Sequence, residues 1–161
     1  DYHKEMGPNT FSKAGPQILA GAVGPKAMSM SADFAEGLAG FSFNADLKEI
    51  NDSFKRVEEA FAQKKISPRL ITSFWFGLGD TGRDDIKTHL TRYLGWMGKD
   101  LAKNLSETAG FSGNQDDLYN FLVKIKDLGA TDTLLVPTSK DIDQLSMAEE
   151  VVSQFIQQST N

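Results

Sequence analysis

Four short apolar runs, each followed by a segment with helical periodicity, constrain the fold of this chain more than any other feature. They lie at about residues 17–22, 37–43, 69–77 and 133–137. The third run is apolar without alternation in its second half, which is typical of a strand covered on both faces. Strands that alternate with helices pair in parallel through right-handed crossovers. The sequence therefore predicts an α/β fold of four βα units whose strands are neighbours in sequential order.

The segments between these runs carry apolar residues at steps of three and four, as amphipathic helices do. Asn44 or Asp46 is suited to cap the second helix, because a short polar side chain accepts hydrogen bonds from the first turn. Gly95 and Gly98 are expected to bend or split the third helix. Residues 108–113 are predicted to form a loop. The predicted helices lie at about residues 25–35, 46–64, 81–105, 114–128 and 141–157.

Composition limits the class of protein. The chain has 161 residues, of which 40% are hydrophobic and 24% charged, so we expect one domain with a sizeable core. A net charge of -5 argues against a general nucleic-acid binder, which would normally carry a basic face. The absence of cysteine excludes disulfides, thiolate zinc sites and cysteine nucleophiles. No apolar stretch approaches the roughly 20 residues that span a bilayer, so we expect no membrane segment and a cytoplasmic location.

The beginning of the chain differs in character from the rest. Residues 1–16 contain two prolines and two glycines and are predicted to be a surface approach segment. Their polar start predicts no signal peptide. The chain lacks an initiator methionine, so we expect it to begin inside a longer polypeptide. Residues 17–161 are predicted to form the folded unit.

The first apolar run ends in a turn rich in glycine, Gly21-Ala22-Val23-Gly24-Pro25-Lys26. Proline is favoured at the first position of a helix, so a helix is expected to begin at Pro25. Glycines let a backbone approach a ligand closely, and the free N–H groups of a helix start favour anions. One interpretation is therefore a phosphate site, to which Lys26 adds a charge. The other is a tight strand-to-helix turn that needs glycine for its geometry alone.

Other candidate groups give weaker signals. His3 and His89 are the two histidines, and the sequence places neither in a metal-binding or catalytic pattern, so surface or structural roles are expected. No metal site is predicted. Ser73 and Ser139 have no base in a recognisable motif, so nucleophilic catalysis has no support. The two tryptophans, Trp75 and Trp96, are expected to be core residues.

The order of these motifs resembles the luciferase-like flavin-dependent monooxygenases. In that family a strand, a Gly-x-x-Gly-Pro-Lys turn and a helix lead to an Ala-Asp-Gly segment that opens the next strand. This chain has Ala35-Glu36-Gly37 there, a departure that keeps the negative charge. Two later segments, Ser112–Leu118 and Lys126–Pro137, are similar to a helix start and a closing strand of the family. The resemblance covers about residues 16–155 and depends on order and spacing.

The family folds as a (β/α)₈ barrel, so the resemblance implies that these four units are its second half. Four strands cannot close a barrel, and the open edges would expose backbone groups. The missing half is expected from a second copy of the chain, a separate chain or an absent segment. The alternative is an open sheet that is stable alone. A face carrying Phe41, Phe43, Phe74, Phe76 and Leu135 is expected to be covered by that other protein.

The resemblance also implies a cofactor and a site. In relatives the phosphate of a flavin such as FMN, or of a deazaflavin, rests on the glycine turn, here Gly21, Ala22, Val23, Gly24 and Lys26. The substrate is expected to be a small molecule bound where the strands end, at residues 41–43, 76–79 and 137–139. No catalytic residue is specified. The chain is thus expected to be part of an oxidoreductase, or else a non-catalytic half-barrel that kept the fold as a structural partner.

Overall fold

A computed structural model describes residues 15–159, so most of the predicted approach segment lies outside the described residues. The strands are β1 Leu19–Ala20, β2 Gly37–Ala39, β3 Arg69–Leu78, β4 Phe111–Gly113 and β5 Asp132–Pro137. The α-helices are α1 Pro25–Ser31, α2 Leu47–Ala62, α3 Gly82–Tyr93, α4 Lys99–Ser106, α5 Gln115–Asp127 and α6 Ile142–Ser159. A short 3₁₀ turn, Gly95–Met97, separates α3 from α4.

The strands form one parallel sheet. β1 pairs with β2, β2 with β3, and β3 with β5, which confirms the predicted α/β fold and the sequential order of its four strands. Ile71 on β3 pairs with Ala39 of β2 and with Asp132 of β5, so these two strands lie on opposite edges of β3. The split of the third predicted helix around Gly95 and Gly98 is also confirmed.

The first two strands are shorter than predicted. β1 has two residues, whereas the apolar run predicted a strand over residues 17–22. Beyond β2, two hydrogen bonds continue the ladder to β3: the Gly40 N–H donates to the Ile71 carbonyl at 2.8 Å and the Ser42 N–H to the Ser73 carbonyl at 2.9 Å. The backbone of residues 37–43 therefore follows β3 as predicted, although regular strand geometry ends at Ala39.

The prediction that residues 108–113 form a loop is wrong at its end. Residues 111–113 make up β4, which pairs in parallel with the last three residues of β3, Phe76–Leu78. Phe76 also pairs with Pro137 of β5 on its other side, so β4 shares with β2 one edge of β3. A strand of three residues buries too little to leave a hydrophobic pattern, which is why the sequence gives no signal for it.

One face of the sheet packs against helices α2, α5 and α6. Alternate residues of β3 point to this face, as strand geometry requires, and the side chains of Phe74 and Phe76 are fully buried there. The shared core contains apolar side chains from all three helices, among them Phe54, Val57, Phe61, Leu118, Ile125 and Val151. This face of the sheet is therefore covered by helices of the same chain.

The prediction that Phe41, Phe43, Phe74, Phe76 and Leu135 share a face awaiting another protein is therefore wrong. Phe74 and Phe76 belong to the core, and Leu135 packs at its border, opposite Phe74 in the register of β3 and β5. Phe41 and Phe43 instead contact Trp75, which points the other way from β3. The apolar runs determine neither which strands pair nor their register. Side chains alternate between the two faces along each strand, so residues of different strands can be assigned to a common face only when the pairing and the register are known.

We call the opposite side of the sheet the open face. Leu134 of β5 is 56% exposed there, and Phe41 is 44% exposed. At the amino end of this face the Arg69 guanidinium donates to the side-chain oxygen of Gln17 and to the carboxylate of Asp132, at 2.5 and 2.6 Å. Through Arg69 of β3, this bridge links the segment just before β1 to Asp132 of β5.

The Arg69–Asp132 pair predicts a dependence of stability on pH. The hydrogen bond from Arg69 lowers the pKa of the Asp132 carboxyl. The pair therefore stabilises the fold at neutral pH. Its contribution begins to decrease at about pH 4, the pKa of an unperturbed aspartate, and disappears as the pH falls through the lowered pKa of Asp132 in the folded chain. We expect Asp132→Asn to lower the free energy of unfolding at pH 7 by at most about 1 kcal/mol, because both side chains are partly exposed.

Urea denaturation at pH 7 and pH 3 measures this effect. The difference between the unsubstituted chain and Asp132→Asn should shrink at the lower pH, because the carboxyl group of the unfolded chain is mostly protonated at pH 3 and the ion pair loses part of its advantage. Asp80→Asn, which removes an exposed carboxylate outside the sheet, is the matched control and should show no such convergence. An equal difference at both pH values would show that the ion pair does not stabilise the chain.

Candidate functional site

The carboxyl ends of the parallel strands meet along one rim of the sheet. Ligands of parallel α/β folds bind at this rim, because the loops that follow the strands converge there. The structure brings to it the glycine turn after β1, the aromatic residues after β2, and the segment 137–139 at the end of β5. These are three of the segments that the sequence singled out.

The glycine turn is open to solvent. An added Cβ atom at Gly21 or Gly24 would meet no other atom within 4 Å. Gly24 has φ -88° and ψ 152°, an extended conformation that any residue adopts. The turn therefore does not require glycine at this position, either for its backbone geometry or for packing within the chain. The interpretation as a turn that requires glycine for its own geometry is not supported at Gly24. Val23, between the glycines, is 87% exposed.

Helix α1 begins directly after this turn. Pro25 occupies its first position, as predicted, and the Met28 N–H donates to the Gly24 carbonyl at 3.0 Å. The N–H groups of Lys26 and Ala27 precede that bond, and no side chain caps the helix start. No acidic residue lies in the first turn either. The turn therefore offers uncapped donors and partial positive charge beside the exposed Lys26 side chain.

Aromatic side chains form a cluster where β2 and β3 end. The ring centroids of Phe41 and Phe43 lie 4.5 and 5.3 Å from that of Trp75, both edge-on. Tyr93 of α3 contacts the same indole at 6.2 Å. Trp75 is 9% exposed, which agrees with the prediction of a core residue, and it packs with Ile86 and Leu90 of α3 and with Leu94 just after that helix. Helix α3 thus lies over the carboxyl end of the open face.

Hydrogen bonds hold the segment that carries Phe41 and Phe43. The buried Ser42 hydroxyl donates to the Glu49 carboxylate at 2.7 Å and accepts the Asp46 N–H at 3.0 Å. Glu49 also accepts the Phe43 N–H at 3.3 Å. The predicted cap at Asp46 is confirmed, since its carboxylate accepts the Glu49 N–H at 2.8 Å. The start of α2 therefore positions the two phenylalanine residues against Trp75.

The end of β3 is not available to a ligand as predicted. Phe76 and Leu78 point into the helix-covered core, and each is 1% exposed. Gly77 lies against Gly82, where an added Cβ would approach the Gly82 carbonyl oxygen to 2.3 Å. The Gln144 side chain of α6 closes the strand end by bonding both backbone groups of Leu78. Sequence reasoning missed Gln144, since nothing in its neighbourhood marks it as buried.

Trp96 contradicts its predicted role as a core residue. It lies in the 3₁₀ turn between α3 and α4 and is 81% exposed. The predicted surface or structural role of His89 agrees with the structure, because the imidazole is half-buried and stacks on Tyr93 with ring centroids 5.9 Å apart. Burial, followed by the charge of Arg92, lowers the pKa of His89.

Solved structures with a similar fold give this geometry its context. An F420-dependent secondary alcohol dehydrogenase in complex with an F420-acetone adduct is 15% identical, with a TM-score of 0.59 over 81% of this chain and 46% of that one. The monooxygenase RslO1 from Streptomyces bottropensis is 12% identical, with a TM-score of 0.58 over 96% and 51%. Apo-MsnO8 is 16% identical, with a TM-score of 0.56 over 91% and 52%.

The likeness is one of fold. No protein-family model and no curated protein matches the sequence. The chain spans about half the length of each of the three solved proteins. The predicted α/β class is confirmed, and the parallel sheet of alternating βα units is consistent with part of a (β/α)₈ barrel.

Two features are absent from the described part of the chain. Between residues 15 and 159, no group of three or more histidine, aspartate or glutamate side chains is arranged to hold a metal ion. Over the same residues no helix has both the length and the apolar character needed to cross a membrane.

Proposed function

We propose that this chain is half of the (β/α)₈ barrel of an oxidoreductase that uses a flavin or a deazaflavin. In this proposal the glycine turn after β1 binds the phosphate of FMN or of the deazaflavin. The binding groups are the backbone of Gly21, Ala22, Val23 and Gly24, and Lys26. The substrate is a small molecule that binds at the same rim of the sheet.

The fold supports the chemical class. Two of the three solved structures are named for oxidoreductases, an F420-dependent alcohol dehydrogenase and a monooxygenase. The sequence resemblance to luciferase-like monooxygenases points to the same kind of enzyme independently, through the order of its motifs. A fold hosts many functions, so the assignment of a cofactor depends on the site.

The open glycine turn is the observation that carries the proposal. A side chain at Gly21 or Gly24 would enter empty space and strain nothing within the chain. The glycines therefore keep a surface free against which another molecule can lie close to the backbone. The uncapped N–H groups of α1 and the Lys26 ammonium suit an anion at that place. A phosphate has the size and the charge that this surface can accept.

A bound flavin-type ring would supply the redox chemistry, whereas the residues of this chain bind, orient and exclude water. Phe41, which is partly exposed and packs on Trp75, provides apolar surface at the rim, suited to a flat ring or an aliphatic substrate. The Ser42–Glu49 hydrogen bond keeps Phe41 in place. Helix α3 shields Trp75 from solvent on its other side.

The rest of the barrel is proposed to come from a second copy, another chain or another segment. Both outer strands leave an edge unpaired within the described residues: β1 bonds to β2, and β5 to β3. Leu134 and Phe41 on the open face would be buried by such a partner half. The partly exposed apolar groups and the free edges support closure by further strands.

Substitution of Gly24 tests the phosphate site. We expect Gly24→Val to remove the preference of the protein for FMN over riboflavin, because the branched side chain fills the space beside the N–H groups. Lys26→Ala should weaken FMN binding less, by about 0.5–1 kcal/mol, since the ammonium is exposed. Quenching of flavin fluorescence measures both affinities on the assembled protein.

Gly95→Val is the matched control, because Gly95 also has empty space around its α-carbon but lies in the turn after α3. It should leave the preference for FMN unchanged. Equal affinity of the unsubstituted protein for FMN and riboflavin would contradict the phosphate site. Absence of binding to flavins and deazaflavins alike would contradict the cofactor proposal and favour a non-catalytic half-barrel.

A further inference from the structure

A second cleft opens at the same rim, between α3 and the segment that follows β5. It has a volume of about 470 Å³. Arg92, His89 and Asp85 line it from α3, and Ser139 and Lys140 line it from the end of β5. None of these residues belongs to the glycine turn or to the aromatic cluster. Its lining carries three basic side chains and a single carboxylate.

The two permanent cations of the cleft have no side-chain partner among the residues that the structure describes. Between residues 15 and 159, the side chains of Arg92 and Lys140 form no hydrogen bond and no ion pair with a carboxylate. The one carboxylate that lines the cleft, Asp85, accepts a hydrogen bond at 3.0 Å from the Thr81 hydroxyl. Two permanent positive charges beside a single carboxylate leave the lining with a net positive charge, which favours an anion there.

Neutral donors complete the lining. The Ser139 hydroxyl oxygen accepts the Asp141 N–H at 3.2 Å, which leaves its own hydrogen free to donate. The adjacent Thr138 hydroxyl donates to the Phe76 carbonyl at 2.8 Å, so it fixes the segment to β3. His89 adds a ring N–H held in place by stacking on Tyr93. The donors thus reach the cleft from two separate elements.

We propose that this cleft binds the phosphate group of a small molecule. A guanidinium, an ammonium, a hydroxyl and an imidazole that line the cleft from two sides can donate to several oxygen atoms at once, and a phosphate offers more of them than a carboxylate. Its position at the carboxyl ends of parallel strands is where the ligands of such sheets bind.

The site is separate from the phosphate site proposed at the glycine turn. β1 and β5 are the outer strands of the order β1-β2-β3-β5. With neighbouring strands about 4.8 Å apart, the two places lie about 14 Å apart across the sheet. One phosphate cannot occupy both, so this inference does not depend on the proposed function.

The imidazole of His89 is a reporter for the test, because the chain has two histidines and His3→Gln removes the other signal. Inorganic phosphate is titrated against the protein at constant ionic strength, with chloride as the reference salt. A phosphate anion beside His89 stabilises the imidazolium, so we expect the pKa of His89, followed by proton NMR, to rise by about half a pH unit or more. Acetate should produce a smaller rise.

Arg92→Gln and Lys140→Gln should each abolish most of the rise that phosphate causes. Arg56→Gln is the matched control: it removes the same charge from an exposed position on α2 and should leave the rise intact, as should Gly24→Val. Circular dichroism verifies that each variant is folded. The proposal is overturned if phosphate changes His89 no more than chloride does, if acetate equals phosphate, or if Arg92→Gln behaves like Arg56→Gln.

Discussion

Replacement of Phe74 by alanine is expected to lower the free energy of unfolding by about 3–5 kcal/mol. Phe74 lies in the middle of β3 and is fully buried. Its ring packs edge-on against Phe121 of α5, with centroids 5.2 Å apart, and lies 6.3 Å from that of Phe111. The substitution leaves a cavity that neighbouring rings, fixed by the sheet and α5, cannot fill. Urea denaturation followed by circular dichroism measures the loss.

Leu134→Ala is the matched control on the other face of the sheet. Leu134 is adjacent in sequence to Leu135, which borders the core, but its own side chain is 56% exposed. For the chain without a partner half we expect a loss below about 1 kcal/mol, because little apolar surface is uncovered. A loss equal to that of Phe74→Ala would contradict the assignment of the two faces.

Removal of the Gln144 side chain is expected to cost about 2–4 kcal/mol. Gln144 is 5% exposed, and its amide donates to the Leu78 carbonyl at 2.9 Å while its oxygen accepts the Leu78 N–H at 2.8 Å. Both backbone groups are buried at the end of β3, where they would otherwise lack a partner. Thermal unfolding of Gln144→Ala should therefore show a large decrease in midpoint.

Two further variants separate hydrogen bonding from packing. Gln144→Met keeps most of the side-chain volume but neither hydrogen bond, so it should be destabilised nearly as much as Gln144→Ala. Gln154→Ala, at an exposed position of the same helix, should change stability by less than about 0.5 kcal/mol. Recovery of stability in Gln144→Met would show that volume, and not the paired hydrogen bonds, is what the chain requires.

The order of the elements was predictable, because each helix and each of the four main strands has a pattern long enough to read. The run that forms β3 lacks alternation because both faces of the strand are covered. The core with α2, α5 and α6 covers one face, and α3 covers Trp75 on the other. Glycines 95 and 98 marked the break between α3 and α4, since glycine weakens helices and Gly98 has a φ of 108°. Local patterns determined these features.

Features that depend on pairing between distant segments were not predictable. β4 forms because three residues meet the end of β3, and the faces of Phe41 and Phe74 depend on the register of their strands. The burial of Gln144 depends on where α6 meets Leu78. At the candidate site, the sequence singled out the glycine turn but gave no sign that Arg92 and Lys140 would line one cleft.

Successive residues of β3 face opposite sides of the sheet, so we expect them to have evolved together with different neighbours. Among related sequences, the sizes of Phe74 and Phe76 should change together with residues of α2, α5 and α6, which enclose them. Trp75, one position away, should change with α3. Leu134 on β5 has no such neighbour in the described chain, so its variation should follow that of whichever polypeptide closes the barrel.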